Sequence, residues 1–218
     1  MGKKAGIKIG AAATAGLAGT LAWAVLADEA PYPYKGPRSW PLDLQLPFLT
    51  NRRLDALLAV KPGDRVLEIG PGTGCQSLHV ANLVAPTGQL DIVDIQQEFL
   101  DAVMERAKAK DVPGIVPTLA DARELPFPDD IFDAAYVVTA LGEIPDPIDT
   151  LCEFRRVLKP GGRLVVGEFF DKHYIRLITL MRRANESGFE VIRHLGVPFS
   201  YMAQLRPVAT DLSGTKVA

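Results

Sequence analysis

Apolar residues after residue 50 follow two alternating patterns, which predict strands and helices in turn. Short apolar runs bounded by turn residues predict buried strands, as in the run from Arg65 to Ile69. Apolar residues spaced three and four positions apart predict helices with one buried face, and the helices beginning near residues 96 and 147 have such stripes. The first stripe consists of Phe99, Leu100, Val103, Met104 and Ala107, and the second of Ile148, Leu151, Cys152 and Leu158.

The complete order of elements predicts an α/β fold. Strands such as 134–138 are apolar at consecutive positions, as a sheet covered by helices on both faces requires. A turn too short for a crossover helix joins the last two strands, so that pair must be antiparallel. We predict a Rossmann-like, doubly wound, mostly parallel seven-stranded sheet with an antiparallel last strand, preceded by an N-terminal hydrophobic helix. The predicted helices cover 53–59, 74–84, 96–110, a segment from 147, and 173–187; the strands cover 65–69, 89–94, 115–119, 132–139, 163–166, 190–195 and 199–205.

The N-terminus has a different pattern. Residues 9–27 carry no charge, and a helix of this length spans about 28 Å, close to the thickness of the bilayer core. Three interpretations compete: a retained membrane anchor, a cleaved signal peptide with its cleavage site at Val25 to Ala27, and a soluble helix packed on the domain. We expect an anchor with the folded domain after it facing the cytosol, and a soluble cytoplasmic protein is the alternative.

These patterns divide the chain into four parts. Residues 1–28 form the hydrophobic segment, 29–50 a linker or lid, 51–206 the main domain and 207–218 a flexible tail. Five prolines between residues 31 and 50 break regular structure before the first clear helix. The chain of 218 residues is too short for a second domain with its own core.

Charge and cysteine content exclude several classes of protein. Lys and Arg number 24 against 26 Asp and Glu, and the net charge of -2 argues against a nucleic-acid partner. Cys75 and Cys152 are isolated from each other and from histidine clusters, so we predict neither a disulfide framework nor a metal site.

A glycine-rich turn follows the first strand, in the sequence Glu68-Ile-Gly-Pro-Gly-Thr-Gly74. Such a turn brings backbone N–H groups close to a ligand at the start of a helix, and it predicts a nucleotide-like ligand. A dinucleotide fingerprint would place its third glycine where Cys75 stands, and a phosphate-binding loop would require a lysine that is absent here.

Four sequence blocks resemble the class I S-adenosylmethionine-dependent methyltransferases, in particular the branch of ubiquinone and menaquinone C-methyltransferases. The blocks are VLEIGPGTG at 66–74, LDIVDIQ at 90–96, ADARELPFPDDIFDAAYVVTAL at 120–141 and EFRRVLKPGGRLVVGEF at 153–169. They occur in the family's order, and the resemblance covers about residues 50–206. It implies that the chain is an enzyme with S-adenosyl-L-methionine as its cofactor.

The resemblance assigns five residues to the methionine part of the cofactor. Glu68 would lie near the methionyl amino group, and the Thr139 backbone would contribute beside it. Gly70, Gly72 and Gly74 would let the chain pass close to the ligand without side chains in the way. A lone glutamate in an apolar strand is costly unless it has a partner, which also favours a functional role for Glu68.

Four further residues are assigned to the adenosine part. Asp94 would accept hydrogen bonds from the ribose hydroxyls, Ile95 would pack on the adenine face, Asp121 would accept from its exocyclic amine, and the Ala122 backbone would fix the ring. Asp94 and Asp121 could instead be solvated loop acids or helix caps. Their position at the carboxyl ends of predicted strands favours ligand binding.

Methyl transfer from a sulfonium requires alignment and exclusion of water, and no nucleophilic side chain. A base is needed if the acceptor carries an acidic proton, and Glu143 is the candidate, although the resembling family often has an apolar residue or histidine nearby. The predicted acceptor is a small molecule or a lipid-like compound, and residues 9–27 would bring the enzyme to a membrane. Two alternatives remain open: an NAD(P)-dependent reductase, and a catalytically silent, membrane-tethered module that binds the cofactor.

Overall fold

The computed structural model describes residues 48–208 of the chain. Within this range five helices and seven strands follow one another in the alternating order that the sequence predicts. The helices are α1 (Asn51–Leu58), α2 (Ser77–Val84), α3 (Gln97–Ala109), α4 (Pro147–Val157) and α5 (Leu177–Glu186). The strands are β1 (Arg65–Ile69), β2 (Gln89–Asp94), β3 (Ile115–Leu119), β4 (Phe132–Val138), β5 (Leu158–Phe169), β6 (Phe189–Val197) and β7 (Ser200–Pro207).

All seven strands form one sheet in the order β3-β2-β1-β4-β5-β7-β6. The pairs from β3 to β5 are parallel, and β7 is antiparallel to both of its neighbours. The chain crosses over after β3 to place β4 on the other side of β1, as in doubly wound sheets. The predicted fold class is therefore confirmed.

The core lies on both faces of this sheet because neighbouring residues of a strand point in opposite directions. Leu67 of β1 packs in a cluster with Leu151 and Leu180 of α4 and α5. The adjacent Val66 packs in a second cluster with Leu100 of α3 and with residues of α1 and α2. Each central strand must be apolar at consecutive positions to fill both clusters, which explains the runs in the sequence.

Two helices begin later than predicted. The predicted helix from 74 begins at Ser77, because the glycine-rich loop continues with positive φ at Gly72 and Gly74. The predicted helix from His173 begins at Leu177, so that residues 170–176 form a loop after β5.

The predicted stripe of α4 is wrong at two positions. Cys152 and Ile148 are exposed, whereas Thr150, Leu151 and Phe154 face the core. The helix is rotated relative to the predicted stripe because the aromatic ring of Phe154 occupies the core. Leu158, placed at the end of the helix, is instead the first residue of β5.

The predicted membrane segment at 9–27 lies outside the described residues. Among the helices between residues 48 and 208, none is long and apolar enough to cross a bilayer. Most of the predicted linker, and the tail from residue 209, also lie outside the described range.

Candidate active site

The predicted site residues lie in or beside the segments that follow the parallel strands. Because parallel strands end at the same edge of a sheet, β1, β2, β3, β4 and β5 bring their following loops together. We call this the carboxyl edge. It comprises the glycine-rich loop after β1, the end of β2, the loop after β3, a 3-10 turn (Leu141–Glu143) after β4 and the loop 170–176 after β5.

The three glycines of the first loop all have positive φ, but their surroundings differ. A Cβ on Gly70 would lie 2.6 Å from the Cβ of Ala140, so the loops after β1 and β4 touch there. A Cβ on Gly74 would lie 3.1 Å from Val103 of α3. A Cβ on Gly72 would meet no atom of residues 48–208 within 4 Å, so the described part of the chain leaves the space in front of Gly72 open.

Glu68 is the buried acid beneath this loop. Its side chain is within β1, and only 3% of the residue is exposed. Burial raises the pKa of Glu68 to about 7, and the nearby hydroxyls of Ser77 and Tyr136 oppose the rise. The Glu68 Oε2, the Ser77 Oγ and the Tyr136 hydroxyl are all buried without a hydrogen bond of good geometry within the described residues. This group therefore has unused capacity to bind a polar ligand atom.

Asp94 is the last residue of β2, and Ile95 follows it. The backbone N–H of Gln96 donates to Asp94 Oδ1 at 2.9 Å, which orients the carboxylate. Burial raises the pKa of Asp94 to about 6. Ile95 is 44% exposed and provides apolar surface beside the carboxylate.

Asp121 has a partner that the sequence analysis did not predict. The Arg123 guanidinium donates to both carboxylate oxygens, with Nη2 at 2.7 Å from Oδ2, and this hydrogen bond lowers the pKa of Asp121. The neighbouring Ala122 is buried. A ligand amine at this position would share Asp121 with Arg123.

Thr139 and Glu143 flank the chain where it leaves β4. Thr139 has a positive φ of 57°, and its backbone N–H donates to the Gly167 carbonyl at 2.8 Å. Glu143 is partly buried in the 3-10 turn, and this burial raises its pKa to about 7. The charges of Asp171 and Asp94 raise it further, while Lys172 lowers it.

Glu168 and Asp171 belong to the same edge, and the sequence analysis missed both. Glu168 of β5 is 2% exposed; it accepts a hydrogen bond from the backbone N–H of Ile175 at 3.3 Å, and its Oε1 has no partner within the described residues. Burial and the charges of Asp171 and Glu143 raise the pKa of Glu168 well above its usual range. A single acid inside an apolar strand, the feature that supported the role of Glu68, is also present at Glu168 and could have identified it.

The loops after β4 and β5 are in tight contact beside these acids. A Cβ on Gly142 would lie 1.9 Å from the carbonyl oxygen of His173, so only glycine fits there. A cleft of about 340 Å³ opens next to this contact, with Ile144 on one wall and Lys172 on another. Burial lowers the pKa of His173, which favours its neutral form.

The other two histidines lie elsewhere. His79 Nε2 of α2 is 2.7 Å from Asp55 Oδ1 of α1, so this side chain joins two helices. His194 is an exposed residue of β6.

Comparison with known proteins identifies the sequence family. A model of the ubiE/COQ5 methyltransferase family matches residues 44–196. The ubiquinone/menaquinone biosynthesis C-methyltransferase UbiE of Pseudomonas savastanoi pv. phaseolicola is 43% identical over 151 residues, which are 64% of this chain and 59% of that protein. The UbiE protein of Ectopseudomonas mendocina is 43% identical over 114 residues, 52% of this chain and 44% of that protein. The chain thus spans only about half of the length of these curated relatives.

Solved structures share the fold. A SAM-dependent methyltransferase from Aquifex aeolicus has a TM-score of 0.66 at 18% identity, over 71% of this chain and 87% of that one. The [4+2]-cyclase SpnF has a TM-score of 0.63 at 21% identity, over 72% of this chain and 79% of that one. Because one of these neighbours is called a cyclase, the fold alone does not specify the reaction.

The sequence match covers more than two thirds of the chain, from the residues before α1 to the end of β6, and includes the whole carboxyl edge. This extent confirms the resemblance drawn from the four sequence blocks, together with the cofactor of that family, S-adenosylmethionine. The chain belongs to the ubiE/COQ5 methyltransferase family of class I S-adenosylmethionine-dependent methyltransferases.

Proposed function

We propose that the chain transfers a methyl group from S-adenosylmethionine to a ring carbon of a lipid-like quinone precursor. Family membership is the observation that carries the proposal, because the relatives are named ubiquinone/menaquinone biosynthesis C-methyltransferases. The quinone-like acceptor is inferred from the names of those relatives, and the chain spans only part of their length.

The carboxyl edge fits the proposed cofactor at three points. The described residues leave the space in front of Gly72 open, so a ligand can approach the backbone of the loop. The buried Glu68 Oε2 has no hydrogen-bond partner among the described residues and can accept a hydrogen bond from the methionyl ammonium. The Asp94 carboxylate stands at the end of β2, where a ribose diol can donate to it. Thr139, Ile95, Asp121 and Ala122 keep their proposed roles around the methionine and the adenine.

Charge supports the same assignment. The pKa values of Glu68, Asp94, Glu143 and Glu168 are all raised, because these acids are buried close to one another at one edge. A bound cation would compensate this concentration of carboxylates. S-adenosylmethionine carries positive charge on its sulfonium and on its ammonium group.

Bound S-adenosylmethionine supplies an electrophilic methyl group. The residues of this chain would align the acceptor with that group and exclude water. A ring carbon becomes a better nucleophile when the neighbouring hydroxyl loses its proton, and the Glu143 carboxylate can accept that proton. Its pKa of about 7 suits proton transfer near neutral pH.

The substrate proposal is tested with labelled S-adenosylmethionine, the full chain, and either membrane lipid extract or soluble metabolites as acceptors. We expect label in a quinone-like lipid of the membrane extract. Label confined to the soluble fraction would contradict the lipid-like acceptor. Calorimetry with S-adenosylmethionine and with NADH separates a methyltransferase from a reductase, and binding without any label transfer would indicate a silent module.

The base is tested with Glu143→Gln. We expect kcat to fall about 10²-fold or more with little change in cofactor affinity, because the carboxylate acts on the acceptor. Glu105→Gln on the exposed face of α3 is the control and should leave kcat unchanged. An unchanged kcat in Glu143→Gln would remove this residue from the mechanism.

We further propose that residues 9–27 associate with a membrane and that the domain faces the cytosol, where the cofactor is supplied. The uncharged length of that segment supports this proposal. Fractionation of cells that express the full chain tests it, and recovery of all protein without membranes would contradict it.

A further inference from the structure

Four large apolar side chains are exposed in the loop after β5, on α5 and at the turn between β6 and β7. Phe170 is 49% exposed, Ile178 68%, Met181 45% and Phe199 54%. We call these four residues the apolar edge. Single exposed apolar residues are ordinary on protein surfaces, but a cluster of them marks an interaction site.

The aromatic part of the apolar edge is connected by direct contacts. The ring centroid of Phe170 lies 5.9 Å from that of Tyr174, and the Tyr174 hydroxyl donates to the Pro198 carbonyl. Phe199 follows Pro198, and its ring meets that of Phe48 edge to face, with centroids 6.4 Å apart. These contacts join the loop after β5, the β6–β7 turn and the residue at which the described chain begins.

The helical part follows directly in the chain. Ile178 and Met181 are three residues apart near the start of α5, outside the buried stripe formed by Leu180 and Ala184. Residues three apart on a helix lie on the same face. The loop that carries Phe170 leads directly into α5, so Ile178 follows Phe170 by eight residues.

Basic side chains accompany the apolar edge. Lys172 and Arg176 are exposed in the loop that carries Phe170 and ends at α5. Arg52 is exposed in the first turn of α1, and the Arg53 guanidinium lies 4.8 Å from the centre of the Phe48 ring. Apolar residues bordered by lysine and arginine are typical of surfaces that bind anionic lipid membranes.

The point at which the N-terminal segment joins the described domain also favours a lipid surface as the partner. Forty-seven residues precede Phe48, including the uncharged stretch at 9–27, and the chain enters the described domain at Phe48, against Phe199. We propose that the apolar edge docks on an anionic lipid surface through Phe170, Ile178, Met181 and Phe199, with Lys172 and Arg176 contacting the headgroups. This docking is separate from any contact of residues 9–27, and it does not depend on methyl transfer.

The test is hydrogen exchange of the full chain with and without vesicles, in the absence of cofactor and acceptor. We use vesicles of phosphatidylcholine alone and vesicles that also contain phosphatidylglycerol. With the anionic vesicles we expect amide exchange in 170–181 and 196–201 to slow about tenfold or more, while 115–119 on the opposite edge strand stays unchanged.

Matched variants separate docking from a general effect. Lys172→Glu with Arg176→Glu should remove the protection, because the charges then repel the lipid. Lys108→Glu with Lys110→Glu makes the same charge change at exposed positions near the end of α3 and should keep it. The paired variant Ile178→Ser with Phe199→Ser should lower the protection, whereas Val116→Ser on β3 should not.

Three outcomes would overturn the proposal. Exchange at 170–181 and 196–201 that is unchanged by anionic vesicles would mean that the domain does not dock, even if residues 9–27 bind. Equal protection by neutral vesicles would mean that the basic residues play no part. Protection that appears without vesicles and grows with protein concentration would make a second copy of the chain the occupant.

Discussion

The carboxylates at the carboxyl edge differ in how readily they can accept a hydrogen bond from a ligand, because their hydrogen-bond partners within the protein differ. Asp121 is held by Arg123, and that ion pair lowers its pKa. Among the described residues Asp94 accepts from backbone donors alone, and burial raises its pKa to about 6. Asp94 therefore gains more than Asp121 when a ligand donates a hydrogen bond to it.

Asp94→Ala should weaken binding of S-adenosylmethionine by about 2 to 4 kcal/mol, because each hydrogen bond to a charged group contributes roughly 1.5 to 3 kcal/mol. Calorimetry measures this, with Glu105→Ala as an exposed control. The affinity of the unmodified chain should rise as the pH increases through about 6, since only ionised Asp94 is a strong acceptor. Unchanged affinity in Asp94→Ala would remove the ribose assignment.

Gly72→Ala should reduce cofactor binding at least tenfold while the fold remains intact. A Cβ there contacts no atom of the described domain, so a ligand close to the loop would be the group that meets it. The positive φ costs about 1 kcal/mol for alanine. Gly161 also has a positive φ, and an added Cβ there would meet no atom of the described residues, so Gly161→Ala has a similar conformational cost away from the site. The cofactor affinity of this control should stay normal. Equal affinities for the two variants would mean that the ligand does not approach Gly72.

Helix α4 holds the loop that carries Asp121. The Arg156 guanidinium donates to the carbonyls of Phe127 and Leu125 at 2.7 and 2.9 Å. Arg156 also pairs with Glu153, whose carboxylate accepts from the Leu125 backbone N–H. One side chain of α4 thus fixes the loop between β3 and β4.

Arg156→Met should lower the free energy of unfolding by about 2 to 4 kcal/mol, since the carbonyls of Leu125 and Phe127 and the carboxylate of Glu153 lose their donor. Exchange of residues 121–131 should become faster. Arg182→Met is the control, because its pair with Glu186 is exposed on α5 and should change stability by less than about 1 kcal/mol. Chemical denaturation measures both variants; equal effects would contradict a special role for Arg156.

Elements with strong periodicity were predictable, and local interactions between elements were not. The strands at 65–69, 89–94 and 115–119 have the bounds that the sequence predicts, because apolar runs between turn residues define them. The start of α2 was misplaced because three glycines prolong the loop before it.

The site was predictable only in part. The resemblance to a known family selected Asp94 and Asp121, and their position after predicted strands supported that choice. The pairing of Asp121 with Arg123 depends on side-chain conformation, which the sequence pattern does not specify. The contact between Gly142 and His173 joins loops that follow different strands, so no local spacing predicts it.

For the whole molecule, buried acids make stability depend on pH. The pKa values of Glu68 and Glu143 are raised from 4.5 to about 7 and that of Asp94 from 3.8 to about 6. A raised pKa adds stability below the unfolded value, and this stability is lost as the pH rises through the folded value. Asp121, Asp133 and Glu153 have lowered pKa values, so their contribution is lost as the pH falls below about 4.

The midpoint of thermal unfolding of the ligand-free chain should therefore be highest near about pH 5 and should fall toward about pH 8. Over this rise in pH, the free energy of unfolding of Glu68→Gln should fall by about 3 kcal/mol less than that of the unmodified chain, so its midpoint should decline less. Glu105→Gln, which changes an exposed acid, should leave the profile unchanged. A midpoint that rises steadily from pH 5 to about pH 8 would contradict the expectation that buried acids with raised pKa values destabilise the fold as the pH rises.

The reversed direction of β7 has a consequence for how such proteins diversify. Because β7 returns between β5 and β6, a tight turn at residues 198 and 199 joins the last two strands on the ligand side of the sheet. Added residues at that turn would change the surface of the carboxyl edge while the ladders on either side stayed intact. Insertions there can therefore alter what this edge contacts without rebuilding the sheet.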